Sequence, residues 1–143
     1  MAEKLRLDIQ VLLPEIRDEA DACVGRLISE LEGKLGVEGV HLRPASGALP
    51  AQLCVHYDPQ ELPLARIRQI VEASGARISA RFGHVLWDAD GIGHERRARM
   101  VADALRAKAG VLEADASASG RVHIEFDREQ ISHEQLRELL EKI

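Results

Sequence analysis

The 143-residue chain contains one pattern twice. Val24, Leu27, Ile28, Leu31 and Leu35 recur at helical spacing and lead into Gly36-Val37. Ala98, Val101, Ala102, Leu105 and Ala109 do the same 74 residues later and lead into Gly110-Val111. Leu53, Val55, Tyr57 and Asp58 return as Val122, Ile124, Phe126 and Asp127 at an offset of 69, so the second repeat has a hairpin five residues shorter. Turns absorb such changes at little cost. Each repeat is therefore expected to close its own small unit, with boundaries at 1–82 and 83–143.

Composition limits what those units do. Apolar residues make up 45% of the chain, but only Trp87, Tyr57, Phe82 and Phe126 are aromatic, so the cores must be built from Val, Leu, Ile and Ala. The net charge of -5, with both signs interspersed, leaves no basic face for a nucleic acid. No apolar run approaches the roughly 20 residues of a membrane span, and the start lacks a signal-peptide core, so no membrane insertion is expected. Two cysteines, Cys23 and Cys54, are too few for a disulfide scaffold and fit free thiols in a reducing cytoplasm.

The local patterns give the order of elements. Leu5, Leu7, Ile9, Val11 and Leu13 alternate with more polar residues and read as a strand ended by Pro14. A helix follows from Asp18, then a short strand around Val40 and Leu42, a turn rich in Pro, Ser and Gly, and a strand at Leu53, Val55 and Tyr57. A second helix carries Leu64, Ile67, Ile70 and Val71 and is expected to stop at Gly75, before a last strand near Ala76 to Phe82. Unit two begins with a strand around Val85 and Trp87 and ends in a helix whose Ser132 and Gln135 form a capping box. Strand, helix, strand, strand, helix, strand with right-handed crossovers predicts α+β units, two ferredoxin-like sandwiches in tandem, the second lacking its last strand. The strand at Val85 and Trp87 would then have an open edge, a route to an edge-strand dimer.

With Cys23-Val24-Gly25-Arg26-Leu27, Gly36-Val37 and Val55-His56-Tyr57-Asp58-Pro59 in place, the chain resembles the heavy-metal-associated domain family. These modules occur as metallochaperones and as tandem amino-terminal domains of heavy-metal-transporting P-type ATPases. The resemblance spans nearly the whole chain, twice, but departs at the family's Cys-x-x-Cys: Ala20 stands at its first cysteine, and His94 and Arg97 replace the pair in unit two. It implies a cytoplasmic amino-terminal region of an ATP-driven metal pump, with a regulatory and metal-sensing role and the pump's other cytoplasmic domains as partners. A free-standing protein-interaction module without metal and a soluble metal carrier are the alternatives.

The candidate ligands follow from that alignment and from residue chemistry. Cys23 is placed in the first turn of a helix, where exposed N–H groups favour a thiolate, with Asp18, Glu19 and Asp21 around it. One soft thiolate among hard carboxylates suits weak Zn(II) or Cd(II) binding better than Cu(I). Acids at a helix start are equally ordinary caps, and a lone cysteine is ordinary packing. His94, at the matching loop of unit two, is handicapped as a ligand by Arg96 and Arg97. Cys54 and His56, with His41 on the neighbouring strand, and His123 and Glu125 in unit two, fall out of phase with the core and so on an exposed sheet face. Three ligands on a flat face bind weakly, so these read as polar residues of a solvated sheet. Asp18-Glu19-Ala20-Asp21 spells a helicase box without a phosphate loop, and Gly91-x-Gly93 lacks the third glycine of a dinucleotide loop. No nucleophile has a His and an acid in a readable motif, so no catalytic residue is assigned.

Overall fold

The computed structural model describes residues 2–143. The chain is α+β and divides into two compact units, the first ending at Ser79 and the second spanning Ala80–Ile143. In the first, β1 (Glu3–Asp8) is followed by a short helix α1 (Ile9–Leu12), α2 (Ala22–Glu32), β2 (Val37–Arg43), β3 (Gln52–Tyr57) and α3 (Leu64–Arg81), whose last two residues belong to the second unit. The second unit continues with β4 (Phe82–Asp88), α4 (Glu95–Arg106), β5 (Val111–Ala116), β6 (Arg121–Asp127) and α5 (His133–Lys142). Each unit holds one three-stranded antiparallel sheet, ordered β1-β3-β2 and β4-β6-β5. No helix among the described residues is long and apolar enough to cross a membrane.

The repeat survives in detail. Val37 N–H bonds the Lys34 carbonyl and Asp58 N–H bonds the Gly36 carbonyl; Val111 to Lys108 and Asp127 to Gly110 repeat both bonds. Both β2 and β5 slip register after their first residue, between Val37 and Gly39 and between Val111 and Glu113. Gly36 and Gly110 have φ of 87° and 95°, and a Cβ at either would strike Leu62 or Ile131, so the turn requires glycine twice over.

The central strands β3 and β6 place Leu53, Val55 and Tyr57, and Val122, Ile124 and Phe126, in the two cores. Val24, Leu27 and Leu31 of α2 and Ile67 and Val71 of α3 are buried in unit one. Ala98, Val101 and Leu105 of α4 and Leu136 of α5 pack in the core of unit two. The capping box of α5 is present: Ser132 Oγ accepts from Gln135 N–H, and Gln135 Oε1 accepts from Ser132 N–H.

The structure corrects the sequence reading at four places. The alternation from Leu5 to Leu13 is a strand only to Asp8; beyond it Ile9, Leu12, Leu13 and Ile16 are buried at helical spacing while Val11 is 75% exposed. The two periods overlap at Ile9 and Leu13, which is why alternation alone misread the segment. Helix α2 starts at Ala22 rather than Asp18 and ends before Leu35, which is exposed. Gly75 does not stop α3: a Cβ there would lie 2.9 Å from the Leu12 carbonyl oxygen, so the glycine admits a close approach of α1, and the helix runs on to Arg81. Ala76 to Phe82 is thus not a fourth strand, and unit one, like unit two, has three strands rather than four.

Candidate metal centre

The site is built on the face of the first sheet opposite its core. Because β-strand side chains alternate, Leu53, Val55 and Tyr57 pointing inward leave Cys54 and His56 on the other face. Pairing of β2 with β3 sets His41 directly opposite Cys54, so three donors from two strands share one patch. Their ligand atoms, one from each residue, all lie within 4.8 Å of one another. Cys54 Sγ is 3.8 Å from His56 Nε2, and the His41 and His56 rings stand 5.2 Å apart at 34°. Cys54 is buried, His56 half-buried and His41 exposed, so the patch opens towards solvent on the His41 side.

Tetrahedral zinc ligands of this kind stand about 3.4–3.6 Å apart, close to the 3.8 Å between Cys54 Sγ and His56 Nε2. A thiolate and two neutral imidazoles carry one negative charge and are borderline-soft, a donor set for Zn(II) or Cd(II). With three protein ligands a fourth position is open.

The residues expected to bind metal near Cys23 occupy a different part of the same unit. Asp21 is the N-cap of α2: its Oδ1 accepts from Cys23 N–H at 2.9 Å, and its carboxylate lies within 4.8 Å of the sulfur. Asp18 Oδ1 accepts from Ala20 N–H, and Glu19 Oε2 accepts from Ala45 N–H, 26 residues away. Cys23 itself is 1% exposed, and its Sγ accepts from Arg26 Nη1 at 3.2 Å. In unit two His94 caps α4, its Nδ1 accepting from Arg97 N–H at 3.1 Å.

The repeat gives the His41, Cys54 and His56 positions equivalents in unit two: Asp115, His123 and Glu125. His123 and Glu125 were expected on an exposed face, yet both are buried, with 4% and 1% exposure. Here the donors pair off: His84 Nε2 is 3.7 Å from Glu125 Oε1, and His123 Nδ1 is 3.9 Å from Asp115 Oδ2. The two repeats thus place metal-ligating residue types at the same three sheet positions but with different charge.

The signal for the first patch was present in the sequence as Cys-x-His on one strand with a histidine on the next. Its cross-strand register was not, because the turn from Pro44 to Pro50 fixes no pairing by itself.

The N-terminal extension from Cupriavidus metallidurans CzcP is 55% identical over 99% of this chain and 96% of that one, with a TM-score of 0.87. The N-terminal soluble domains of Bacillus subtilis CopA are 20% identical with a TM-score of 0.40, over 99% of this chain and 89% of that one. The water-soluble region of the same P-type ATPase is 18% identical with a TM-score of 0.38, over 99% and 87%. At that similarity the CopA structures support no further inference. No protein-family model matches the chain, nor does any curated protein.

Proposed function

Since the chain belongs to the family of the CzcP amino-terminal extension, a heavy-metal-associated-type region of a P-type ATPase, we propose that it senses a divalent metal on the cytoplasmic side of such a pump. The metal is cargo of the pump, captured here for regulation. Each unit reads as a ferredoxin-like sandwich short of its fourth strand, serving as a rigid platform that also docks on the pump's other cytoplasmic domains.

The observation that carries this reading is the convergence of His41, Cys54 and His56 on one sheet face. Neighbouring strands hold the three side chains before the ion arrives, so little ordering is needed on binding. A site with one thiolate and an open position releases its ion more readily than a closed structural site, which suits a sensor.

Cd(II) titration of the reduced protein tests the reading. A thiolate-to-cadmium absorption band is expected in the native chain and in Cys23→Ser and His94→Ala, and its loss in Cys54→Ser. A band that survives Cys54→Ser and vanishes in Cys23→Ser would move the site to the start of α2.

A further inference from the structure

The sheet face that holds His41, Cys54 and His56 also holds fixed charge. In the β1–β3 register Lys4 stands opposite His56 and Arg6 opposite Cys54, and directly opposed residues share a face. Arg43 pairs with Gln52 on the other side, two residues from Cys54 along β3 and therefore on the same face. Lys4, Arg6 and Arg43 are exposed. The carboxylate that shares this face on β1, Asp8, lies opposite Gln52 and accepts from its Nε2 at 3.1 Å.

This charge is wrong for a bare divalent cation. A dication on one thiolate and two neutral imidazoles leaves a net charge of +1, and Lys4 and Arg6 then face it from the adjacent strand. The first strand of unit two has no such cations: His84 stands where Lys4 does and Leu86 where Arg6 does, while Asp115 and Glu125 stand where His41 and His56 do, and the arginines nearby, Arg106 and Arg121, lie against Asp115 and Asp88 at 3.8 and 3.6 Å. Only the repeat whose donor set leaves the ion positive has strand cations directly opposite the donors on its first strand.

We propose that the ion in unit one is held with a small anion as its fourth ligand, drawn into the open position by Lys4 and Arg6. The inference rests on the metal reading of His41, Cys54 and His56. The cations that repel the aqueous ion stabilise an ion that arrives carrying an anionic ligand, so the site selects a metal–anion complex over the hydrated metal. The anion neutralises the residual charge and Lys4 and Arg6 contact it from the exposed side of β1.

Co(II) as the metal and thiocyanate as the anion give the test, since cobalt absorption reports both the thiolate and the fourth ligand. In the native chain the thiolate-to-cobalt band appears on Co(II) addition, and thiocyanate then shifts the visible bands in a saturable way. In Lys4→Gln/Arg6→Gln, two exposed positions whose replacement leaves the core intact, the thiolate band is retained. The thiocyanate affinity falls roughly tenfold, the size expected for removing two nearby unit charges under water-like screening. An equal thiocyanate affinity in the double variant, or bands insensitive to thiocyanate in the native chain, overturns the anion proposal while leaving the metal site standing. A thiolate band absent from the native chain, or unaffected by Cys54→Ser, overturns the metal site and the anion with it.

Discussion

At the scale of single residues, two chemistries are separable. Asp127 is buried and accepts from Arg81 Nη2 at 3.1 Å, Gln130 Nε2 at 2.9 Å and Glu129 N–H at 2.9 Å. The Arg81 hydrogen bond is the largest cause that pulls its pKa from 3.8 to about 2, with Gln130 next, against burial, which pushes it up. A depressed carboxylate stabilises the fold above its unfolded pKa and loses that contribution as pH falls through the folded one. Arg81 is 48% exposed, so water screens the pair and the contribution is about 1–2 kcal/mol. Asp127→Asn is therefore expected to destabilise the protein at pH 7, with the difference from the native chain shrinking between about pH 4 and pH 2. Denaturant melts across that range check it; a difference independent of pH would mean that the hydrogen-bond geometry, not the charge, is what the mutation removes. The second chemistry is the softness of the site. His41, Cys54 and His56 supply one thiolate, and Cu(I) prefers two soft ligands, so competition with a Cu(I) chelator is expected to show weak uptake. Tight stoichiometric Cu(I) uptake would contradict this reading of the donor set.

At the scale of elements, Gly75 is the informative position. Alanine is the better helix former by about 1 kcal/mol, so propensity alone predicts that Gly75→Ala stabilises α3. The added Cβ would stand 2.9 Å from the Leu12 carbonyl oxygen and 3.3 Å from its Cβ, forcing α1 away from the helix. A net destabilisation of about 1–2 kcal/mol is expected in thermal or denaturant unfolding, the size typical of overpacking; a stabilised variant would show that the contact is loose. The edges supply a second element-scale prediction. The order β1-β3-β2 and β4-β6-β5 gives both β1 and β4 a side unpaired with any strand among the described residues. Amide exchange should therefore be slow throughout β3 and β6, and fast at alternate residues of both β1 and β4. Uniform protection along β4 in dilute solution would point to a second chain pairing there.

The same elements show what the sequence could and could not disclose. The repeat, α4, the β3 and β6 strands and the α5 capping box were legible because a single period or a local hydrogen-bond pair determines each. The segment from Ile9 to Leu13 was not, because apolar residues there satisfy two periods at once, and burial of Ile9, Leu12 and Ile16 decided between them. Gly75 misled because a helix-ending glycine and a close-packing glycine look alike in one dimension. For the metal centre, residue types on β2 and β3 were visible as a polar phase of the strands, but the opposition of His41 to Cys54 is a matter of register. Attention to the Cys23 loop came from the family motif, whose paired cysteines this chain does not keep.

At the scale of the whole molecule, one duplicated sheet has been used in two electrostatic ways. Unit one sets a cysteine and two histidines among Lys4, Arg6 and Arg43; unit two sets His84 and His123 against Glu125 and Asp115. The shared backbone, down to matching register slips and turn glycines, fixes where the side chains stand, and substitution at equivalent positions decides what they hold. The proposed metal site of unit one lies at this sheet face. Backbone amide NMR of the reduced, isotopically labelled chain during addition of up to one equivalent of Zn(II) tests it most directly. The amides around His41, Cys54 and His56 are expected to be among those that shift most, and Cys54→Ser to abolish the shifts. Shifts confined to Asp18 through Cys23, unchanged by Cys54→Ser, would contradict it.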